Sequence, residues 1–201
     1  MSKVNYKNRE NLIIGMASKK THIGLALVAV VLIGFYFLNS GGAGSGSVVE
    51  SQIAGNWINM ELKDVTTGET FTIKELSDSG KPVLLESFAV WCPTCTRQQK
   101  ITKEFEKTDL GSEVISVSID TDPNEDEARI REHAERNGFT WFYAVSPEAL
   151  TRSLIEQFGV SIVNAPSVPM ILVCPENGRV RKLGSGIKSV NELTEEVSRG
   201  C

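Results

Sequence analysis

The chain has 201 residues, 41% of them hydrophobic and 23% charged, the composition of a globular domain rather than a disordered or fibrous one. The net charge of −4 is uneven: residues 1–22 carry Lys3, Lys7, Arg9, Lys19 and Lys20 against Glu10 alone, a balance of +4 that leaves −8 on the rest. An acidic body with no basic stripe and no glycine-rich phosphate loop excludes nucleic acid as a partner.

After the basic tail, 1–22, comes IGLALVAVVLIGFYFL, Ile23 to Leu38, sixteen residues without a charge. At 1.5 Å per residue these span about 24 Å, and including Thr21, His22, Asn39 and Ser40 brings the segment to 20 residues and about the ~30 Å of the hydrocarbon core. Residues 23–40 are therefore expected to form a transmembrane signal anchor. Lys19 and Lys20 before it place the N-terminus in the cytoplasm and everything after residue 40 outside the cell membrane. A cleaved signal peptide is the competing reading. Its apolar region is usually shorter and an A-x-A site is missing, although Gly and Ser near residue 43 keep cleavage open. Residues 41–50, rich in Gly and Ser, read as a flexible linker. The folded domain, 51–201, is long enough to bury a core without staples.

Within that domain WINMEL and ETFTI flank Thr66-Thr67-Gly68 as a hairpin-like pair of strands. Pro82 to Phe88 is an apolar run broken only by Glu86 and Ser87, the mark of a strand buried on both faces. A helix follows over Pro93 to Lys107, then a buried strand over Val114 to Ile119. An acidic amphipathic helix runs from Asn124 to Asn137 and is closed by Gly138. Trp141 to Val145 reads as a short strand, Pro147 to Phe158 as a helix stopped by Gly159, and Val168 to Cys174 as a strand. Glu176-Asn177-Gly178 turns the chain into a partner strand, Arg179 to Leu183, and Ser189 to Ser198 forms the closing helix. The order β-β-β-α-β-α-β-α-β-β-α describes an α/β sandwich with a mixed central sheet flanked by helices.

The chemistry centres on WCPTC, Trp91 to Cys95. Cys92 falls where a strand ends and a helix begins, and free N–H groups with the positive end of the helix dipole favour thiolate there. Cys-x-x-Cys thiols in that setting have pKa values lowered from ~8.5 to roughly 3.5–7.5. Pro93 suits the first helical turn. Cys92 thus reads as the attacking thiol at the exposed end of its strand. Cys95, one turn in and more shielded, resolves the mixed disulfide. Zinc would need two more ligands, and only Cys174, Cys201 and His133 stand beside the carboxylates, none repeating the spacing. A structural bridge over two residues closes too small a loop to stabilise much. Glu86, six residues before Cys92, is expected to be buried with a raised pKa, able to relay the Cys95 proton. An edge position meeting solvent is the alternative. His133, among the charges of RIREHAERNG, reads as a solvated helix face. Cys174 reads as a small buried hydrophobe, while the terminal Cys201 is expected to be exposed; the two are able to pair in an oxidising compartment.

GKPVLLESFAVWCPTC, followed downstream by SVPMILVCPENGRV, resembles the thioredoxin superfamily, and closely the membrane-tethered, extracytoplasmic proteins of the TlpA/ResA type. The likeness covers about Ile58 to Val197. It implies a thioredoxin-like fold with an N-terminal β-hairpin and a βα insertion around residues 114–137. It makes Cys92 and Cys95 the redox pair, Trp91 the aromatic wall beside it and Glu86 the buried acid, with Pro93 and Thr94 tuning the potential. Pro169, three residues after its rival Pro166, matches the cis-proline loop, where Val168 offers backbone groups to a substrate strand. Met170 departs from the Thr common after that proline. The implied activity is thiol–disulfide exchange with protein disulfides, as a reductant recharged by a membrane electron donor, with service in cytochrome c maturation as one such role. No cofactor is implied beyond the Cys92–Cys95 pair, and no metal. A non-catalytic thioredoxin-like binding or chaperone module is the alternative.

Overall fold

The computed structural model describes residues 52–175 and 177–200, all within one folded unit. The tail, anchor and linker expected over 1–50 lie outside the described residues, as does Cys201. Among the described residues no helix is long and apolar enough to cross a membrane.

Eight strands and five α-helices follow in order: β1 Gln52–Ile53, β2 Leu62–Lys63, β3 Thr70–Phe71, α1 Ile73–Asp78, β4 Val83–Phe88, α2 Pro93–Phe105, β5 Ile115–Asp120, α3 Glu127–Asn137, β6 Phe142–Val145, α4 Glu148–Phe158, β7 Met170–Val173, β8 Arg179–Lys182 and α5 Val190–Arg199. Six strands form the main sheet in the order β1-β8-β7-β4-β5-β6, and β2 and β3 pair separately. β4 lies at its centre, parallel to β5 and antiparallel to β7, so that Glu86 stands opposite Ser118 on one side and Met170 on the other.

Every residue of β4 is buried, because the sheet is covered on both faces. Neighbours along the strand point to opposite sides. Leu85 packs with Trp57, Ile119 and Leu154, while Leu84 packs with Phe105, Leu172 and Leu193. Each fully buried side chain of this size contributes roughly 1.5–3 kcal/mol. A third cluster, Phe88, Ile130, Phe139, Trp141 and Tyr143 with Cys92 and Cys95, fills the end of the sheet where the redox pair sits.

Two departures from the sequence reading are local. ETFTI is a strand only over Thr70–Phe71. Thr72 then caps α1, accepting from the Glu75 N–H while the Glu75 side chain accepts from the Thr72 N–H, and this reciprocal capping box overrides the strand-like alternation. WINMEL begins as a 3-10 turn, Asn56–Asn59, whose Trp57 indole N–H donates to Gln157 Oε1 at 2.7 Å and ties this segment to α4. α3 does end at Gly138, which takes the left-handed conformation with φ 62°.

Candidate active site

β4 delivers the chain to the redox turn. Cys92 N–H donates to Ala89 O at 3.1 Å, and Cys92 becomes the N-cap of α2 with Pro93 at the first helical position. The Cys92 sulfur accepts from the Cys95 N–H at 3.2 Å, one of the free donors of the helix start. In the reduced protein that bond stabilises a Cys92 thiolate. The two cysteines are joined as a disulfide, with Cα atoms 5.4 Å apart. Cys95 Sγ lies 3.1 Å from the carbonyl oxygen of Ala165, the acceptor for a reduced Cys95 thiol.

Access differs from expectation. Cys92 is as buried as Cys95, at 0% and 1% exposure, inside the cluster with Phe88, Ala89 and Ala165. The exposed members of the motif are Trp91, 58% accessible, and Pro93, with Thr94 half-buried. Trp91 forms one wall of a cavity of about 280 Å³, lined also by Ala89, Asp122, Pro123, Val163 and Ala165.

The downstream loop also sits differently. Val168 and Pro169 are buried, Val168 among Leu84, Phe105 and Met170. Pro169 O accepts from Ser87 N–H at 3.1 Å and so continues the β4–β7 pairing into the sheet. No peptide bond among the described residues is cis, and Val168 instead turns the chain with φ 50°, an uncommon conformation for a β-branched residue. Ala165 touches Cys95, and the exposed Pro166 follows it in a 3-10 turn. The contact thus falls three residues before the Val168–Pro169 position.

Glu86 is 3% exposed in the central strand, so the edge alternative does not apply. It shares its face with Leu84 and Phe88, the face that α2 covers. Its Oε2 receives a long bond from Ser118 Oγ at 3.4 Å, and Oε1 has no hydrogen-bond partner among the described residues. Burial pushes its pKa up to about 8, against the opposing pull of Gln99, Ser118 and the positive charge of Lys188. Lys188 is itself buried, which lowers its pKa, with Glu86 acting in the other direction. Gln98, one turn beyond Cys95, holds the Lys188 backbone through both ends of its amide, at 2.7 and 3.2 Å. His133 is not solvated. It is 3% exposed, packs near Phe88 and Phe139, and its Nε2 stands 2.7 Å from Gln99 Oε1. Burial, then the charge of Arg136, holds its pKa below the usual value. Cys174 is buried, and the expectation that it is able to pair with Cys201 falls on a residue outside the described ones.

The arrangement is a buried cysteine pair at a helix N-terminus, with a carboxyl of near-neutral pKa beneath the same helix. Residues 54–197 match the model of the Redoxin family. The chain belongs to the Redoxin family. No curated protein sequence matches it. Solved structures share the thioredoxin-like fold. A secreted disulfide oxidoreductase of Mycobacterium tuberculosis, described as homologous to E. coli DsbE, is 15% identical, covers 73% of this chain and 99% of its own, and has a TM-score of 0.55. MTB dsbF is 22% identical, with 73% and 98% covered and a TM-score of 0.56. The exposed lipoprotein thioredoxin Etrx1 of Streptococcus pneumoniae strain TIGR4 is 20% identical, with 70% and 98% covered and a TM-score of 0.52.

Sequence reasoning did not find Ala165, Gln98, Gln99 or Lys188, nor Asp122 and Glu125, whose side chains bond Trp91 and Val90 from the loop after β5, nor Asp120 at the end of β5 behind them. The only signals available were a carboxylate ending a buried strand, Asp120, and two glutamines three and four residues after Cys95.

Proposed function

We propose that this Redoxin-family protein is a thiol–disulfide oxidoreductase acting on protein disulfides outside the cytoplasm, tethered to the membrane by residues 23–40. The reading rests on one observation above all: the Cys92–Cys95 disulfide caps α2, with Cys92 Sγ receiving the Cys95 N–H. The reduced pair has its charge placed on Cys92. That thiolate attacks a client disulfide, one client sulfur leaves as thiolate, and a mixed disulfide forms. Cys95 gives its proton to the small ionised fraction of Glu86 and attacks Cys92 Sγ, releasing the second client thiol. The client gains two electrons, and the pair returns to the disulfide seen here. A base with pKa about 8 is well matched to a thiol of about 8.5.

The direction of electron flow as a reductant, recharged by a membrane electron-donor protein and serving clients such as those of cytochrome c maturation, follows the likeness to the TlpA/ResA type. The basic tail before an apolar segment supports the tether and its orientation. Reduced full-length protein is expected to reduce insulin disulfides catalytically, and Cys92→Ser to abolish this. Binding to unfolded clients that survives Cys92→Ser, with no turnover in the parent protein, would instead mark a non-catalytic binding module. A reporter fused after residue 201 is expected to work only outside the cytoplasm, and activity confined to the cytoplasm would overturn the topology.

A further inference from the structure

Two carboxylates of the β5–α3 connection grip the turn that carries Cys92, and a third, at the end of β5, stands behind them. Glu125 Oε2 accepts the Val90 N–H at 2.6 Å, and Asp122 Oδ2 accepts the Trp91 indole N–H at 2.6 Å. Asp120, 1% exposed at the end of β5, stands behind both. Its Oδ1 accepts the Asp122 N–H at 2.7 Å, and its side chain meets the Glu125 carboxyl. Asp120 Oδ2 has no hydrogen-bond donor among the described residues. The charged groups facing Asp120 are Glu125 and Asp122, both acidic. Arg129 of α3 acts on Asp122, and the contacts from β4 and the β6–α4 loop are backbone bonds, Thr121 N–H to Phe88 O and Ser146 N–H to Asp120 O. Glu125 is faced from α3 by the buried His133, whose pKa is held below its usual value, so no fixed cation offsets the Asp120 and Glu125 carboxylates and the buried Asp120 carboxyl keeps its proton.

We propose that Asp120, Asp122 and Glu125 are positioning residues forming a latch that holds Val90 and Trp91, the two residues before Cys92, in place, and that loss of the Asp120 proton opens it. Asp120 is fixed by its strand, whereas Glu125 is half-buried on a loop. When both ionise, repulsion drives Glu125 into solvent and leaves the Val90 N–H without its acceptor. Cys92 is wholly covered in the closed arrangement, so opening governs how a client sulfur reaches it. The consequence for clients rests on Cys92 being the attacking thiol; the latch does not. Burial pushes the Asp120 pKa up to about 8, with Glu125 adding to the rise, which places the opening at mildly alkaline pH.

The test follows the Val90 amide and Trp91 indole N–H signals of the full chain by NMR from pH 5.5 to 9.5, with Trp91→Phe assigning the indole. Both protons should be protected from exchange at low pH and lose protection through one shared transition. Asp120→Asn keeps a donor to Glu125 but has no proton to lose, so the transition should vanish and protection persist; Glu125→Gln, which still accepts from Val90 and donates to Asp120, should behave alike. A transition unchanged in both variants, or protection that follows hydroxide concentration alone, overturns the latch. In the reduced protein, Asp120→Asn should slow Cys92 alkylation several-fold at pH 9 and leave it unchanged at pH 6. Removing a nearby negative charge would by itself speed it, so acceleration also overturns the proposal. Failure to turn over insulin, by contrast, would sink the oxidoreductase reading while leaving both latch measurements standing.

Discussion

The carbonyl oxygen of Ala165 lies 3.1 Å from Cys95 Sγ, across 70 residues of sequence. This contact divides the downstream segment into a part that reaches the cysteines, Ala165 with the exposed Pro166 after it, and a part that builds the core, Val168 and Pro169.

Val168→Ala is therefore expected to act on stability. Removing two buried methyl groups should cost about 1–3 kcal/mol in denaturant unfolding while leaving kcat/KM for a protein disulfide unchanged. Pro166→Ala, at the exposed position directly after Ala165, should do the reverse. A fall in kcat/KM confined to Val168→Ala would return the client-facing role to the later position.

The division shows what was legible in the sequence and what was not. β4, the Cys-x-x-Cys helix start and the stop at Gly138 depend on neighbours in the chain, and all three stand as read. His133 was hidden by its charged neighbours. The face that matters is Ile130, His133 and Ala134, spaced three and four residues apart and buried together. The Asp120–Glu125 contact and the approach of Lys188 to Glu86 depend on tertiary packing, for which the local pattern carries no signal.

Glu86→Gln should separate chemistry from stability. Below the ordinary value of 4.5 Glu86 is protonated folded or unfolded; between 4.5 and about 8 the unfolded chain releases the proton while the folded one keeps it. Its raised pKa thus costs stability progressively as pH rises through that window. Glu86→Gln should be more stable than the parent by roughly 3 kcal/mol at neutral pH and equal to it near pH 4. Resolution by Cys95 should slow about 100-fold. Lys188→Met, removing the charge that favours ionised Glu86, should move the pH–rate midpoint upward, with no movement in a Glu86→Gln background. Midpoints that shift equally in both backgrounds would exclude the link between Lys188 and Glu86.

His133 predicts an acid sensitivity of opposite sign. Its native pKa lies below 6.5 because burial disfavours the imidazolium. As pH falls through 6.5, the unfolded chain gains a proton that the folded one refuses, and stability is lost down to the lowered native value. His133→Asn should lower Tm at pH 7.5 by loosening the packing against Phe88, yet narrow the further drop between pH 7.5 and 5. A drop as large as the parent's would assign the acid sensitivity to other groups.

The last prediction concerns the two sulfurs. Both are buried in the oxidised protein, so exposure does not distinguish them; their hydrogen bonds do. Cys92 Sγ receives the Cys95 N–H at the helix start, a bond that strengthens when Cys92 is charged. Cys95 Sγ faces the Ala165 carbonyl, which accepts from a protonated thiol and repels a thiolate. The same geometry therefore favours the charged form of Cys92 and the protonated form of Cys95. Alkylation of the reduced protein at slightly acidic pH should label Cys92 well ahead of Cys95. Cys95→Ser should accumulate client proteins joined to Cys92 by a mixed disulfide that added reductant releases, and Cys92→Ser should accumulate essentially none. Equal labelling, or trapping by Cys92→Ser instead, would mean that the Ala165 carbonyl does not hold Cys95 protonated and that the attacking sulfur is the other one.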